Sequence, residues 1–189
     1  KKNKVSNYRF LSNFHQFIKN PTVQKLWKNS KKHYIKEARK LFPLFKSETN
    51  KIISFINKPS KGVTQVIFIP NLLDVFWRGY GFKIQNIGYI VTGPGAEKNH
   101  GELIRHELLH VFTPQYHVPT HFLLKKDHTK AAELGYIGQN IIQKEYTVIS
   151  LNLLYESMIL KRDIRKDITR EIKYFPHIRH VMKIIKKQL

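Results

Sequence analysis

The chain has 189 residues, 34 Lys and Arg against 13 Asp and Glu (a formal charge of +21), 41% hydrophobic residues and no cysteine. That length and apolar content suit one domain with a sizeable buried core and exclude global disorder. The lack of thiols excludes disulfides, cysteine-held metal and cysteine nucleophiles, so any metal must be held by His, Asp or Glu.

The longest apolar runs, "VIFIP" and "ISLNLLY", are far too short to span a bilayer, so no transmembrane segment is expected. No secretory signal pattern is present either. The first residue is Lys1 rather than Met, which leads us to expect that an upstream segment has been removed. The compartment stays open, because a cysteine-free chain tolerates both reducing and oxidising surroundings. The positive charge points to nucleic acid or another anionic surface on one reading, and to a solvated lysine surface on the other. Lysine outnumbers arginine about three to one and is spread along the chain. Base readers rely on arginine forks, so the solvated surface is favoured and a nucleic-acid partner is not.

In chain order, Pro21 suits the first turn of a helix, continued by "TVQKLWKNSKKHYIKEARKLF". Val23, Leu26, Trp27, Tyr34, Ala38 and Leu41 fall near one face of it. Pro43 is expected to end this helix, and "SETNKIISFIN", capped by Ser47, to form another. After "NKPSKG", the β-branched run "VTQVIFIP" reads as a strand. "NLLDVFWRGYG" reads as an aromatic-rich loop, and "FKIQNIGYIVTG" as a second strand or a hairpin. "GPG" at 93–95 breaks the sheet, and "AEKNHGELIRHELLHVF" reads as a helix of about four turns. Residues 113–142 are loop-rich, and a long helix is expected from Ile141 to Lys161, then more helix to Leu189, broken near Pro176. The layout is α+β in one domain. Residues 1–58 form a helical region, 59–112 a small mixed sheet with the "HELLH" helix, and 113–189 a loop-rich segment with C-terminal helices.

The pentapeptide at 106–110 carries the chemistry. His106 and His110 lie one helical turn apart, so both imidazoles leave the same face and can grip one ion. Glu107 is rotated by about 100°, within reach of a metal-bound water but displaced from the ligand direction. Leu108, Leu109, Val111, Ile104 and Phe112 make the rest of the helix apolar. Two histidines and a glutamate inside such a helix are costly to bury unless something satisfies them.

"ELIRHELLHVF" resembles the active-site helix of the HExxH zinc metallopeptidases, the zincins. The preceding "IGYIVTG" resembles the edge strand on which those enzymes lay out a peptide substrate. The resemblance covers residues 84–112 and one downstream helix, and implies a zincin-like fold, a Zn2+ cofactor, a peptide or protein substrate and Glu107 as the base. Zincin branches differ in the third ligand. Where metzincins place a glycine and a third histidine, this chain has Thr113 and Tyr116. Peptide deformylases need a cysteine. The gluzincin branch takes a glutamate from a following helix, which here implies Glu145, the first acid of the apolar "EYTVISLNLLYESMIL". Glu133 and Glu156 are the other acidic candidates. A histidine ligand, His117, His121 or His128, would instead resemble the SprT-like DNA-associated metalloproteases, whose Gly-His-Gly segment is missing here. A non-catalytic zinc-bound scaffold is a further alternative, opposed by the intact Glu107. The resemblance also implies a Tyr or His donor for the oxyanion, with Tyr136, Tyr146, Tyr155 and His180 as candidates. Residues 113–142 are expected to form a cleft wall or lid.

Overall fold

The structure is a computed structural model, and the residues it describes are 16–56, 62–113, 133 and 139–189. It divides into two compact units, residues 1–40 and 41–189. Helix α1 (Pro21–Ile56) contributes to both.

In the first unit, Asn20 starts α1: its side-chain oxygen accepts the Thr22 N–H at 2.9 Å, and its carbonyl accepts the Gln24 N–H at 2.9 Å. Pro21 then occupies the first helical position, where a missing N–H costs nothing. None of residues 16–40 is buried.

The second unit holds residues 41–56 of α1, strands β1 (Gln65–Pro70), β2 (Gly79–Ile84) and β3 (Ile87–Thr92), and helices α2 (Glu102–Phe112), α3 (Gln139–Met158), α4 (Arg165–Ile172) and α5 (Ile178–Lys186). The layout is α+β, with a small mixed sheet. The expected stop at Pro43 is wrong, since α1 continues through it. A proline inside a helix removes one backbone bond and crowds the preceding turn. On either side of it, Leu41, Phe45, Ile52 and Ile56 are buried along one stripe, and that packing carries the helix past the defect.

The strand order is β1-β3-β2, with β1 parallel and β2 antiparallel to β3. The reading of "IGYIVTG" as an edge strand is therefore corrected. These residues form β3, in the middle, and the edge beside α2 is β2. Part of the expected aromatic loop, Gly79–Gly81, is strand. The β2–β3 turn is Gln85-Asn86, with Gln85 at φ 52°. Along β2, Gly79 and Gly81 share the face toward α2, while Tyr80, Phe82 and Ile84 are exposed. The expected four-turn helix is also shorter. Lys98–Gly101 form a 3₁₀ turn, Gly101 adopts φ 80°, and the α-helix starts at Glu102.

Helix α2 anchors the core. Ile104, Leu108, Leu109 and Val111 are fully buried, in one cluster with Ile90 of β3 and Leu151 and Tyr155 of α3. Tyr146 of α3 meets Phe175 edge-on at 5.0 Å and accepts the His177 N–H at 3.4 Å, tying the C-terminal segment down. Among the described residues no helix is long and apolar enough to cross a membrane.

One charge lies deep in this core. Arg105 of α2 is 1% exposed, and its guanidinium reaches Glu48 of α1 at 3.2 Å and Glu156 of α3 at 3.2 Å. The Tyr155 ring centroid lies 5.3 Å from it. Glu156 is in turn held by Arg162 at 3.0 Å, and Glu48 by Lys51 at 3.0 Å. The network pins three helices at one point. Replacing Arg105 by Met takes from two buried carboxylates their buried partner and leaves each only a more exposed one, so urea denaturation should show a loss of about 3–5 kcal/mol. A loss below about 1 kcal/mol would show that the clamp contributes little.

Candidate metal centre

His106 and His110 leave α2 on the same face, with Nε2 atoms 3.2 Å apart. Glu145, in the second turn of α3, meets both. Its Oε1 lies 2.9 Å from Nε2 of His110 and its Oε2 lies 3.5 Å from Nε2 of His106. The three side chains form a group that could hold a metal ion, with one ligand atom from each lying within 4.8 Å of the others.

The geometry bears on the fit. Two atoms bound at about 2.0–2.2 Å to a tetrahedral ion stand about 3.3–3.5 Å apart. The observed separations of 3.2, 2.9 and 3.5 Å lie in or slightly below that range. Glu145 is 4% exposed, and the nearest partner of its Oε2 among the described residues is the His106 nitrogen at a long 3.5 Å. A buried carboxylate oxygen in that state is costly without a cation. Two imidazoles and a carboxylate, with no sulfur, make a donor set suited to zinc and its neighbours among the divalent metals.

The electrostatics point the same way. Burial pushes the His106 imidazolium down, but its hydrogen bond to Glu145 and the charges of Glu107 and Glu145 outweigh this and raise it to about 9. Burial raises Glu145, but its hydrogen bonds to His106 and His110 outweigh this and hold it down at about 2. Burial raises Glu107 above the usual carboxylate range, although both histidines pull it back.

A cleft of about 810 Å³ opens here, bounded by residues 77–82, by His106, Glu107 and His110 of α2, and by Lys144, Glu145 and Asn152 of α3. Glu107 is 5% exposed and packs beneath β2, where the Gly81 backbone holds its carboxylate. The packing demands glycine. A Cβ on Gly79 would stand 2.7 Å from Glu107 Oε1, and one on Gly81 would overlap the Glu107 carbonyl oxygen.

The structure thus brings His106, Glu107, His110 and Glu145 together. Glu156 is engaged by Arg105 and Arg162 instead, and Glu133 is exposed. His117, His121, His128 and Tyr136 lie outside the described residues, as does nearly all of the expected cleft wall at 113–142. Tyr146 and Tyr155 are core residues and His180 is exposed, and none of the three lines the cleft. Sequence reasoning missed Gly79, Tyr80, Gly81, Lys144 and Asn152. The available signal was "GYG", alternating small residues on one strand face, which marks a close backbone approach. The sequence matches no protein-family model, and no curated protein or solved structure is significantly similar to it.

Metal must displace a proton here. With His106 raised to about 9, the metal-free chain carries that proton at neutral pH, while Glu145, held at about 2, stays ionised. Zinc affinity should therefore strengthen as pH rises toward about 9 and weaken as it falls, with proton release visible by calorimetry in buffers of different ionisation enthalpy. Glu145→Ala should weaken binding by more than about 100-fold, because residues that merely orient ligands are already worth about 10–100-fold. Glu133→Ala should leave it unchanged. Equal zinc affinity in the wild type and the Glu145→Ala variant would remove Glu145 from the ligand set.

Proposed function

We propose that the protein is a zinc-dependent peptidase of the gluzincin kind, with a zincin-like arrangement of sheet and helices. The observation that carries this reading is the meeting of Glu145, from a separate helix, with both histidines of "HELLH". His106, His110 and Glu145 would hold the ion. When bound, zinc supplies a Lewis acid for the scissile carbonyl and acidifies a water molecule.

The chain's own residues would supply the rest. Glu107 sits in the same cleft, where its carboxylate accepts a proton from the attacking water. The new C–O bond forms as that proton moves, and Glu107 then passes it to the amide nitrogen as the C–N bond breaks. Strand β2 runs along the cleft, and among the described residues one of its sides is unpaired in the sheet. An extended peptide can pair with that edge, which would lay its backbone across the metal group.

A variant separates base from ligand. Glu107→Gln keeps the size and helix preference of the side chain but cannot accept the proton. It should retain about one zinc per chain by elemental analysis and lose at least about 100-fold in peptide hydrolysis, followed by mass spectrometry on an unfolded protein substrate. Undiminished hydrolysis in this variant would sink the proposed role. A zinc-loaded wild type that cleaves no peptide would favour a scaffold.

A further inference from the structure

The first unit holds a feature that a peptidase reading does not use. Between Pro21 and Lys40, α1 carries seven cations (Lys25, Lys28, Lys31, Lys32, Lys36, Arg39 and Lys40) and one acid, Glu37. At about 100° per residue, Val23, Leu26, Trp27, Tyr34 and Ala38 occupy an arc of about 120°, which also holds Ser30 and Glu37. Lys25, Lys28, Lys32, Lys36 and Arg39 occupy the opposite arc of about 80°. Lys31 and Lys40 flank the apolar stripe, where long stems can lie along it with the charges raised.

The stripe is open to water at Leu26 and Trp27, and half-buried at Val23, Tyr34 and Ala38. Leu26 is 63% exposed and Trp27 50%, although Trp27 does meet Tyr34 at 5.5 Å between ring centroids. No residue from 16 to 40 is buried. Further along the same helix the same spacing gives Leu41, Phe45, Ile52 and Ile56, all buried. The periodicity is therefore that of a helix that covers its stripe, and in the first unit the cover is not among the described residues.

Charge and composition select the occupant. A second copy would bring another +21. Nucleic acid would engage the lysines but leave Leu26 and Trp27 in water. A bilayer with anionic headgroups satisfies both faces at once: the apolar stripe enters the acyl boundary, Trp27 sits at headgroup depth, and the lysines stay above among phosphates. We infer that residues 21–40 form a membrane-surface helix that docks on anionic lipid. This does not depend on the peptidase reading.

The test uses the full chain with sedimented vesicles of phosphatidylcholine, alone or with about one third phosphatidylglycerol. The expected result is pelleting with the anionic vesicles only, weakened by salt as surface attraction is screened. In a Trp77→Phe background, Trp27 is the remaining tryptophan, and its emission should shift to the blue on binding. The double variants Leu26→Glu/Trp27→Glu and Lys28→Glu/Lys32→Glu should each weaken pelleting by about tenfold or more. Their circular dichroism should stay native, because none of the four side chains is buried. The inference is overturned by no pelleting, by pelleting that survives Leu26→Glu/Trp27→Glu, or by pelleting without the Trp27 shift. It is equally overturned if the chain dimerises through this helix without lipid, or binds duplex DNA or RNA through the same lysines while ignoring vesicles.

Discussion

A buried carboxylate stays ionised only where positive charge meets it, and Glu145 shows how the second unit is arranged around that requirement. Its two oxygens face two imidazole nitrogens at 2.9 and 3.5 Å. In the metal-free chain the compensating charge is a proton, which is why His106 is raised to about 9 while Glu145 is held at about 2. A divalent ion would supply positive charge in greater amount at the same point, and would give Oε2 a closer partner than the imidazole at 3.5 Å. The group is thus built for a cation whichever species occupies it.

Holding that group together is a matter of helix placement, and α2 is fixed on several sides. One side carries His106 and His110 toward α3. Another is pressed against β2 so closely that Gly79 and Gly81 admit no side chain. About 100° around the helix from His106, Arg105 binds Glu48 and Glu156 in the core. Glu156 belongs to the helix that bears Glu145, three turns further on. Helices α2 and α3 are therefore joined twice, once through a buried ion pair and once through the contacts of His106 and His110 with Glu145. A buried ion pair costs more desolvation than an apolar contact of the same size. What it supplies here is direction: a guanidinium between two carboxylates tolerates little sliding, whereas leucines facing leucines tolerate more.

The parts of this arrangement that were legible in the sequence were those with a short-range signature. The turn spacing of His106 and His110 gave their shared face, and its place as the first acid of an apolar helix, read with the resemblance, singled out Glu145. What stayed hidden depended on tertiary partners. Pro43 carries a strong stop signal, overridden by the burial of Leu41, Phe45, Ile52 and Ile56, which no local window contains. The place of β3 in the middle of the sheet depends on β1 returning parallel to it, and strand order leaves little trace in side-chain pattern. Glu156 looked like a spare ligand because its partner, Arg105, lies 51 positions away in sequence. Tyr80 entered the cleft unnoticed because the glycines beside it read as loop.

The +21 charge is the property least explained by the metal group, and its distribution is informative. Several cations of the second unit have local partners. Arg105 and Arg162 are tied to carboxylates, and Arg78 and Lys98 lie over the rings of Tyr80 and Phe76 at 5.9 and 4.8 Å. On residues 21–40 seven cations share a single acid, and five of them cluster opposite an exposed Leu-Trp stripe. A solvated surface needs charge but has no need to segregate it, and a helix whose apolar stripe is left in water loses the packing that normally stabilises it. Segregation of both kinds on one helix is what an interface between water and hydrocarbon selects, because only there does each face find its own medium.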